Sequence, residues 1–221
     1  MSTGPTPGTP VVLLTGFEPF GGDTVNPSWL VAQALHGQVI AGARIESACL
    51  PCVFGKSLDV LQQALRRHRP VLVLALGLAA NRTALSLERV AINLDDARIK
   101  DNAGAQPVDQ AVLPGGPAAH FSTLPIKAMV QAVLQAGLPA EVSHTAGTFV
   151  CNHVFYGLMQ QLRRRPGVRG GFMHLPLLPA QAVAPDRPGL ALADQVCGVQ
   201  IALRTALATP TDLRVMGGQL S

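Results

Sequence analysis

The stretch that decides the fold is Val71-Leu-Val-Leu-Ala-Leu76. Each of these residues is apolar, so both faces of an extended strand would be hydrophobic here. Such a strand is typical of the centre of a parallel sheet that helices cover on both sides. Four further short runs have the length and the apolar content of strands, and they span residues 11–14, 44–50, 142–145 and 171–174.

Amphipathic stretches with the spacing of helices lie between these runs. In residues 57–68, the side chains of Leu58, Leu61 and Leu65 fall on one face, and Pro70 follows the end of the stretch. Similar patterns cover residues 126–135, 154–165 and 190–207. The alternation predicts an α/β protein with three layers, α/β/α, around a mostly parallel, twisted sheet.

Two regions depart from this alternation. Residues 1–10 are rich in Pro, Gly and Thr and are predicted to form a disordered lead-in. Residues 81–120 are polar and contain Gly and Pro, which predicts loops and short strands near a strand edge, where α/β folds place their sites. We find no repeat and no linker in the remainder, so residues 11–221 are predicted to form a single α/β domain.

Composition argues against several classes of protein. Hydrophobic residues make up 48% of the chain and charged residues 14%, as in a packed globular protein. The net charge of +4 is scattered, and its densest run, Arg163-Arg164-Arg165, lies at the end of a predicted helix, where cations complement the dipole. No apolar run approaches the ~20 residues that span a bilayer. We therefore expect neither a nucleic-acid partner nor a membrane partner.

The cysteines are few and scattered. Four in 221 residues are too sparse for a disulfide scaffold and suit a reducing compartment. No basic segment followed by an apolar stretch of signal-peptide length is present, so the expected location is cytoplasmic. Cys197 falls in step with Leu190, Ala193 and Ile201 on one face of the last helix, which predicts a buried core position.

Cys49-Leu-Pro-Cys52 has the spacing of a redox dithiol or of half a zinc site. A zinc site would need a second pair, which the sequence does not offer. A redox centre usually opens a helix, but Pro51 separates these cysteines and the next helix is delayed to about Ser57. Buried cysteines without chemistry are therefore favoured over a thiol–disulfide function.

Cys151 has a different setting, because it follows a predicted strand and a turn that contains Gly147. It precedes a helix that begins at about Asn152. A thiol in the first turn of a helix lies near the positive end of the dipole and near unpaired backbone N–H groups, which favour the thiolate. The same N–H groups can form an oxyanion hole. A structural cysteine remains the competing interpretation.

A thiolate nucleophile needs a base and a group that orients the base. His153 is near Cys151 in sequence, but residues two apart on a helix point about 200° apart. His174 ends a predicted strand and is expected at the same sheet edge as the Cys151 turn. Among acids, Glu88 in the loop region after the central strand is attractive. The residues alone do not separate it from Asp95, Asp96 or Asp101.

Six long motifs follow one another between about residues 11 and 179. They are Leu14-Thr-Gly-Phe-Glu-Pro-Phe-Gly-Gly22 with Asn26-Pro-Ser-Trp29, Glu88-Arg-Val-Ala-Ile-Asn93, Ala97-Arg-Ile99 with Asp101-Asn102, Gly115-Gly-Pro117, Ala146-Gly-Thr-Phe-Val-Cys-Asn-His153, and Gly171-Phe-Met-His-Leu-Pro176. Together they resemble the motifs of pyroglutamyl peptidase type I, also called pyrrolidone-carboxylate peptidase. The resemblance implies a cysteine exopeptidase that acts on peptides with N-terminal pyroglutamate, often as a homotetramer.

The resemblance also assigns residues. It implies Cys151 as nucleophile, His174 as base and Glu88 as the acid that orients the base. The implied substrate pocket comprises Phe17, Phe20, Phe149 and Val150, with Asn26 nearby and Arg98 matching an arginine close to the catalytic cysteine. Apolar walls suit a neutral lactam ring that carries no ammonium group. We expect no cofactor and no metal.

One position departs from the resemblance. After the central strand the family usually reads Gly-Gln-Ala-Gly-Gly-Arg, whereas this chain reads Gly77-Leu-Ala-Ala-Asn-Arg82. Leu78 therefore stands where a glutamine is expected, which can weaken lactam recognition or change substrate preference. A protein that binds a lactam without cutting it, or that catalyses a related acyl transfer, is the alternative that this position leaves open.

Overall fold

The computed structural model describes residues 8–182 and 189–217. Its elements in chain order are β1 (Val11–Phe17), α1 (Pro27–Leu35), β2 (Val39–Ile40), β3 (Ala43–Leu50), α2 (Lys56–His68), β4 (Leu72–Leu78), β5 (Leu85–Glu88), β6 (Val90–Ile92), β7 (Ala119–Phe121), α3 (Ile126–Gln135), β8 (Ala140–Ser143), α4 (Val150–Leu162), β9 (Arg169–Leu175) and α5 (Leu192–Ala208). Most of the predicted disordered lead-in, residues 1–7, lies outside the described residues.

Seven of these strands form one mostly parallel sheet in the order β2-β3-β1-β4-β9-β5-β8. Strands β3, β1, β4 and β9 run parallel to one another. Strand β5 pairs antiparallel with β9 and parallel with β8, so the last two strands of the sheet are reversed. The apolar stretch quoted first contributes β4, which lies between β1 and β9 as a buried central strand. The predicted α/β fold is thus confirmed.

Helices cover both faces of the sheet. Alternate residues of β4 point to opposite faces, with Leu74 in one apolar cluster and Val73 in the other. Helices α1, α3 and α5 contribute to the cluster that contains Leu74, and α2 and α4 contribute to the cluster that contains Val73. In the described ranges, no helix is both long enough and apolar enough to cross a membrane.

A close approach between β1 and α1 shapes the chain that follows β1. A Cβ atom on Gly16 would lie 2.4 Å from the carbonyl oxygen of Ser28, so only glycine allows this packing. The Ser28 hydroxyl accepts a hydrogen bond of 2.9 Å from the backbone N–H of Phe17. Asn26 is the N-cap of α1, and its side-chain oxygen accepts from Ser28 N. The end of β1 at Phe17 and the loop that carries Phe20 are therefore held against α1.

Three expectations from the sequence need correction. Helix α1 was absent from the predicted helices, because it is short and begins at a proline after an asparagine cap. Glu88 ends strand β5 inside the main sheet rather than lying in a loop. Cys197 is exposed rather than buried, since α5 turns Gly198, Val199 and Ala202 towards the core instead.

Candidate active site

Cys151 is the second residue of α4 and is partly buried. The N-cap of this helix is Phe149, whose side chain has no hydrogen-bond acceptor. The first backbone N–H groups of α4 are therefore left for a ligand, as the sequence predicts. The sulfur packs against β4, because a Cβ atom on Gly77 would lie 2.8 Å from Cys151 Sγ.

Cys151 and His174 share one face of the sheet. Gly77 on β4 and His174 on β9 are paired residues of parallel strands, so their Cα–Cβ directions point to the same face. The sulfur of Cys151 lies 2.8 Å from the position of a Gly77 Cβ atom, and the ring centroid of His174 is 4.9 Å from that of Phe172, which lies beside the same position. The nucleophile and the base predicted from the sequence are thus on the same side.

Glu88 reaches the same imidazole from the next strand. Its Oε1 lies 2.7 Å from His174 Nδ1, and both side chains are buried. Because β5 is antiparallel to β9, Ser86 rather than Glu88 is the direct partner of His174, and the carboxylate approaches diagonally. A carboxylate can only accept this hydrogen bond, so Nδ1 carries the proton and the lone pair of Nε2 is available as a base.

The electrostatic setting of Cys151 combines opposing effects. Burial raises the pKa of the thiol, the neighbouring Cys52 and Glu88 add to the rise, and Arg82 acts in the opposite direction. The sequence predicts a thiol that the helix N-terminus makes more acidic, and burial opposes this effect. A thiol in this setting needs a base to take its proton, which the free Nε2 of His174 can do.

A small cavity of about 90 Å³ lies beside the sulfur. Its walls are Phe17, Phe20, Asp23, Val25, Asn26, Cys52, Leu78, Phe149, Val150 and Cys151. The rings of Phe20 and Phe149 lie 5.3 Å apart between centroids, and Phe54 packs against Phe149 in a T-shaped arrangement at 5.4 Å. The arrangement suits a single small ring bound between apolar walls.

Most of the pocket residues predicted from the sequence line this cavity. Asn26 does so while its carbonyl oxygen caps α1 and its amide donates to Glu18 O, which leaves one N–H group for a ligand. Arg98 is exposed and does not line the cavity, although its neighbour Asp96 exchanges hydrogen bonds with Thr148 next to Phe149. A substrate-binding role for Arg98 stays a prediction.

Three residues of this region were missed by the sequence reasoning. Asp23 lies at the exposed mouth of the cavity and accepts a hydrogen bond from Gln181. Asn152 is buried and bonds to both the N–H and the C=O of Ile92, which fastens the chain after Glu88 to α4. Arg82 contacts Glu88. The contacts of Asp23 and Asn152 join residues 158 and 60 positions apart, which leaves no signal in the local sequence, and that of Arg82 depends on how the chain turns between β4 and β5.

The competing acids make other contacts. Asp95 Oδ2 lies 2.8 Å from Nδ1 of His153, whose Nε2 accepts from Gly55 N. Asp101 accepts three backbone N–H groups, those of Phe54, Ala103 and Ala105. Asp96 is exposed.

The Cys49–Cys52 pair lacks the properties of a redox centre. Burial raises the pKa of Cys49 to about 11 and that of Cys52 to about 12, with Glu18 adding to both rises. Thiols of this kind stay protonated and react slowly. Among the residues that the structure describes, no group of three His, Cys, Asp or Glu side chains is placed to hold a metal ion.

Comparison with known proteins identifies the family. The model of the pyroglutamyl peptidase family matches residues 11–209. The chain belongs to this family. It is therefore a cysteine-type hydrolase.

Its relatives match over nearly their whole length. A pyrrolidone-carboxylate peptidase of Cupriavidus taiwanensis is 57% identical over 214 residues, which cover 96% of this chain and 99% of the relative. One from Erwinia tasmaniensis is 55% identical, with 94% and 97% covered.

Solved structures of this family have the same fold. The crystal structure of Bacillus amyloliquefaciens pyroglutamyl peptidase I matches with a TM-score of 0.90 at 48% identity, covering 92% of this chain and 100% of that one. Pyrrolidone carboxyl peptidase from Thermococcus litoralis matches with a TM-score of 0.90 at 31% identity, covering 94% and 99%.

Proposed function

We propose that this protein hydrolyses the amide bond that follows an N-terminal pyroglutamyl residue, with Cys151 as nucleophile, His174 as base and Glu88 as orienting acid. The observation that carries the proposal is the 2.7 Å contact between Glu88 Oε1 and His174 Nδ1 on the sheet face where Cys151 lies. An apolar cavity beside the sulfur provides a place for the lactam ring.

The reaction begins with transfer of the thiol proton of Cys151 to Nε2 of His174 as the sulfur attacks the pyroglutamyl carbonyl carbon. The backbone N–H groups at the start of α4 donate to the oxyanion of the tetrahedral intermediate. His174 then protonates the leaving amine, and the C–N bond breaks to leave a thioester on Cys151. A water molecule, deprotonated by His174, hydrolyses the thioester and releases pyroglutamate.

Glu88 stabilises the imidazolium that exists between these proton transfers. Its carboxylate keeps the proton on Nδ1 and so presents Nε2 to the thiol. Burial raises the pKa of Cys151, so the reaction depends on His174 to take the thiol proton.

Selection of the lactam follows from the cavity walls. Phe20 and Phe149 pack against each other and together form an apolar wall on which one face of the ring can lie, and the free N–H of Asn26 can donate to an acceptor on the substrate. An α-ammonium group would lose its hydration among these apolar walls, because the carboxylate of Asp23 lies at the exposed mouth and already accepts a hydrogen bond from Gln181. Leu78 adds apolar surface where the family usually has an amide, so backbone groups have a larger share in recognition. Arg98 remains a candidate for contact with the peptide beyond the ring.

The function is tested by comparing pyroglutamyl, prolyl and glutamyl amides of the same chromogenic amine. We expect kcat/KM for the pyroglutamyl amide to exceed that for the prolyl amide by at least about 10³-fold, since proline lacks the lactam carbonyl and is cationic. A thiol reagent should abolish the hydrolysis. Equal turnover of the prolyl amide would refute the lactam pocket, and no turnover of any amide would refute the peptidase proposal.

Gly77 provides a second test, because it leaves room for the nucleophile. An alanine Cβ atom there would lie 2.8 Å from Cys151 Sγ and 2.7 Å from Phe172 Cζ. We expect Gly77→Ala to lower kcat/KM roughly 10²-fold by displacing the sulfur. Gly170→Ala is the matched control, since it overpacks Leu162 on the same sheet face away from the cavity. Equal losses in the two variants, measured with their thermal unfolding, would contradict this role of Gly77.

We further propose that residues 11–221 act as one domain, since Glu88, Cys151 and His174 come from distant parts of the sequence.

Four free cysteines support a cytoplasmic location, which cell fractionation can test. A homo-oligomer, tetrameric by resemblance, is supported by Phe121 and Val108, which are 67% and 63% exposed. Light scattering would decide the oligomeric state.

A further inference from the structure

Arg82 lies between β4 and β5 and points towards the catalytic acid. Its side chain is only 16% exposed, and its Nη1 is 3.0 Å from Oε1 of Glu88. Its Nη2 donates a hydrogen bond of 2.8 Å to the carbonyl oxygen of Thr145. The guanidinium is thus hydrogen-bonded to the segment that leads to α4, while its contact with Glu88 at the end of β5 is an ion pair without hydrogen-bond geometry.

The carboxylate that Arg82 contacts is buried and uses one oxygen for two contacts. Glu88 is fully buried, and the same oxygen, Oε1, faces both the guanidinium and Nδ1 of His174. The other oxygen, Oε2, has no hydrogen-bond partner among the described residues. A buried carboxylate is costly unless a cation compensates it, and otherwise binds a proton instead. A protonated Glu88 would no longer stabilise an imidazolium on His174.

The charged and titratable groups around Arg82 come from each neighbouring element. Glu88 faces it from β5, and His174 lies behind that carboxylate on β9. Glu141 on β8 is 3.8 Å from Nη1 and accepts a hydrogen bond from Ser86. On α4, the positive charge of Arg82 lowers the pKa of Cys151 against the larger effect of burial.

We propose that Arg82 is a positioning residue of the reaction, which compensates the buried negative charge of Glu88 and holds its Oε1 towards His174 Nδ1. Arg82 does not line the cavity, so it acts through Glu88 rather than by touching the substrate. Through this carboxylate, Arg82 determines which imidazole nitrogen faces Cys151. The inference rests on the proposed function, and it assigns a role to a residue outside the triad.

Kinetic tests use Arg82→Gln and Arg82→Lys. The glutamine variant should lose kcat by about 10²-fold with KM changed less than about threefold, because the catalytic geometry and not substrate binding is affected. The lysine variant should lose only about tenfold in kcat. An ammonium supplies the positive charge near Glu88, but it cannot also donate to the carbonyl oxygen of Thr145 as the guanidinium does. Glu141→Gln is the matched control, because Glu141 is 42% exposed and contacts Arg82 only weakly, so kcat should stay within about twofold.

A pH readout separates positioning from a merely structural role and needs no substrate. The rate of Cys151 alkylation by iodoacetamide is followed against pH by mass spectrometry of the peptide that contains Cys151. Without the cation, the effect of Arg82 that lowers the pKa of Cys151 is lost, so the acid limb of the profile, where the alkylation rate rises with pH, moves to higher pH in Arg82→Gln. In Arg82→Lys the charge remains and the acid limb should stay in place.

Several outcomes would overturn the proposal. The proposal fails if Arg82→Gln keeps the kcat of the wild type or changes only KM. It also fails if both variants lose kcat equally and the acid limb of the pH profile does not move. If Arg82→Gln does not fold, as judged by circular dichroism, Arg82→Lys decides, and wild-type kcat in that variant overturns the proposal. If the wild-type protein cleaves no pyroglutamyl amide, the proposed function fails, while the alkylation experiment still tests Arg82.

Discussion

Replacing Cys151 by serine lowers kcat for a pyroglutamyl amide by about 10⁴-fold or more. Serine leaves an oxygen near the position of Sγ, so the cavity and KM should change little. Its hydroxyl is a far weaker acid than a thiol, and His174 cannot take its proton as readily. The measurement is release of the chromogenic amine under saturating substrate, with KM determined in the same experiment.

Two other cysteines serve as controls for this prediction. Cys197 is exposed on α5, and Cys49 lies on β3, and neither lines the cavity beside Cys151, so neither has a part in the mechanism. Cys197→Ser and Cys49→Ser should keep kcat within about twofold of wild type. If Cys49→Ser lost activity as strongly as Cys151→Ser, the thiol–disulfide function would return as the better explanation.

The central strands of the sheet could be predicted because burial leaves a clear pattern, whereas β2 and β5 were not predicted. Leu72 to Leu76 are apolar on both faces, and only a central strand covered by helices buries both. Helix α3 was predicted with its observed bounds, since its apolar spacing is regular and Gly137 ends it in a left-handed conformation. The position of such elements follows from the local sequence pattern alone.

The last helix shows where this reasoning fails. Its buried face includes Gly198, Ala202 and Ala206, whose small side chains carry little hydrophobic signal. A Cβ atom on Gly198 would lie 2.2 Å from Leu85, so the helix lies directly on the sheet at this face. Larger residues such as Ile201 are only partly buried at its side. Ranking faces by hydrophobicity therefore placed Cys197 inwards, although close packing favours the small residues.

The site could be predicted only in part, because some of its contacts depend on how the strands pair. Cys151 at a helix start and His174 at a strand end follow from local patterns, and the structure puts both on one face. Glu88 could not be separated from Asp95 by the residues alone, because its strand direction depends on pairing with β9. The contact between Arg82 and Glu88 depends on the same pairing. Charge contacts across strands become visible only when the register is known.

Glu88→Gln is expected to lower kcat by about 10³- to 10⁴-fold while the protein remains folded. Glutamine has the shape of glutamate but a single oxygen. If that oxygen takes the place of Oε1, the geometry survives, but the imidazolium of His174 loses its negative partner while Arg82 remains 3.0 Å away. If the NH₂ group takes that place, it repels Arg82 and forces Nδ1 to accept, so Nε2 carries the proton and is no longer a base.

Asp96→Asn is the control, because Asp96 is an exposed acid in the same region and should keep kcat within about twofold. Measuring kcat and KM separately matters, since both forms of the glutamine variant leave the cavity unchanged and predict a constant KM. A Glu88→Gln enzyme within tenfold of wild-type kcat would mean that some other group orients His174. The role of Arg82 would then fail with that of Glu88, whereas the result for Cys151→Ser would stand.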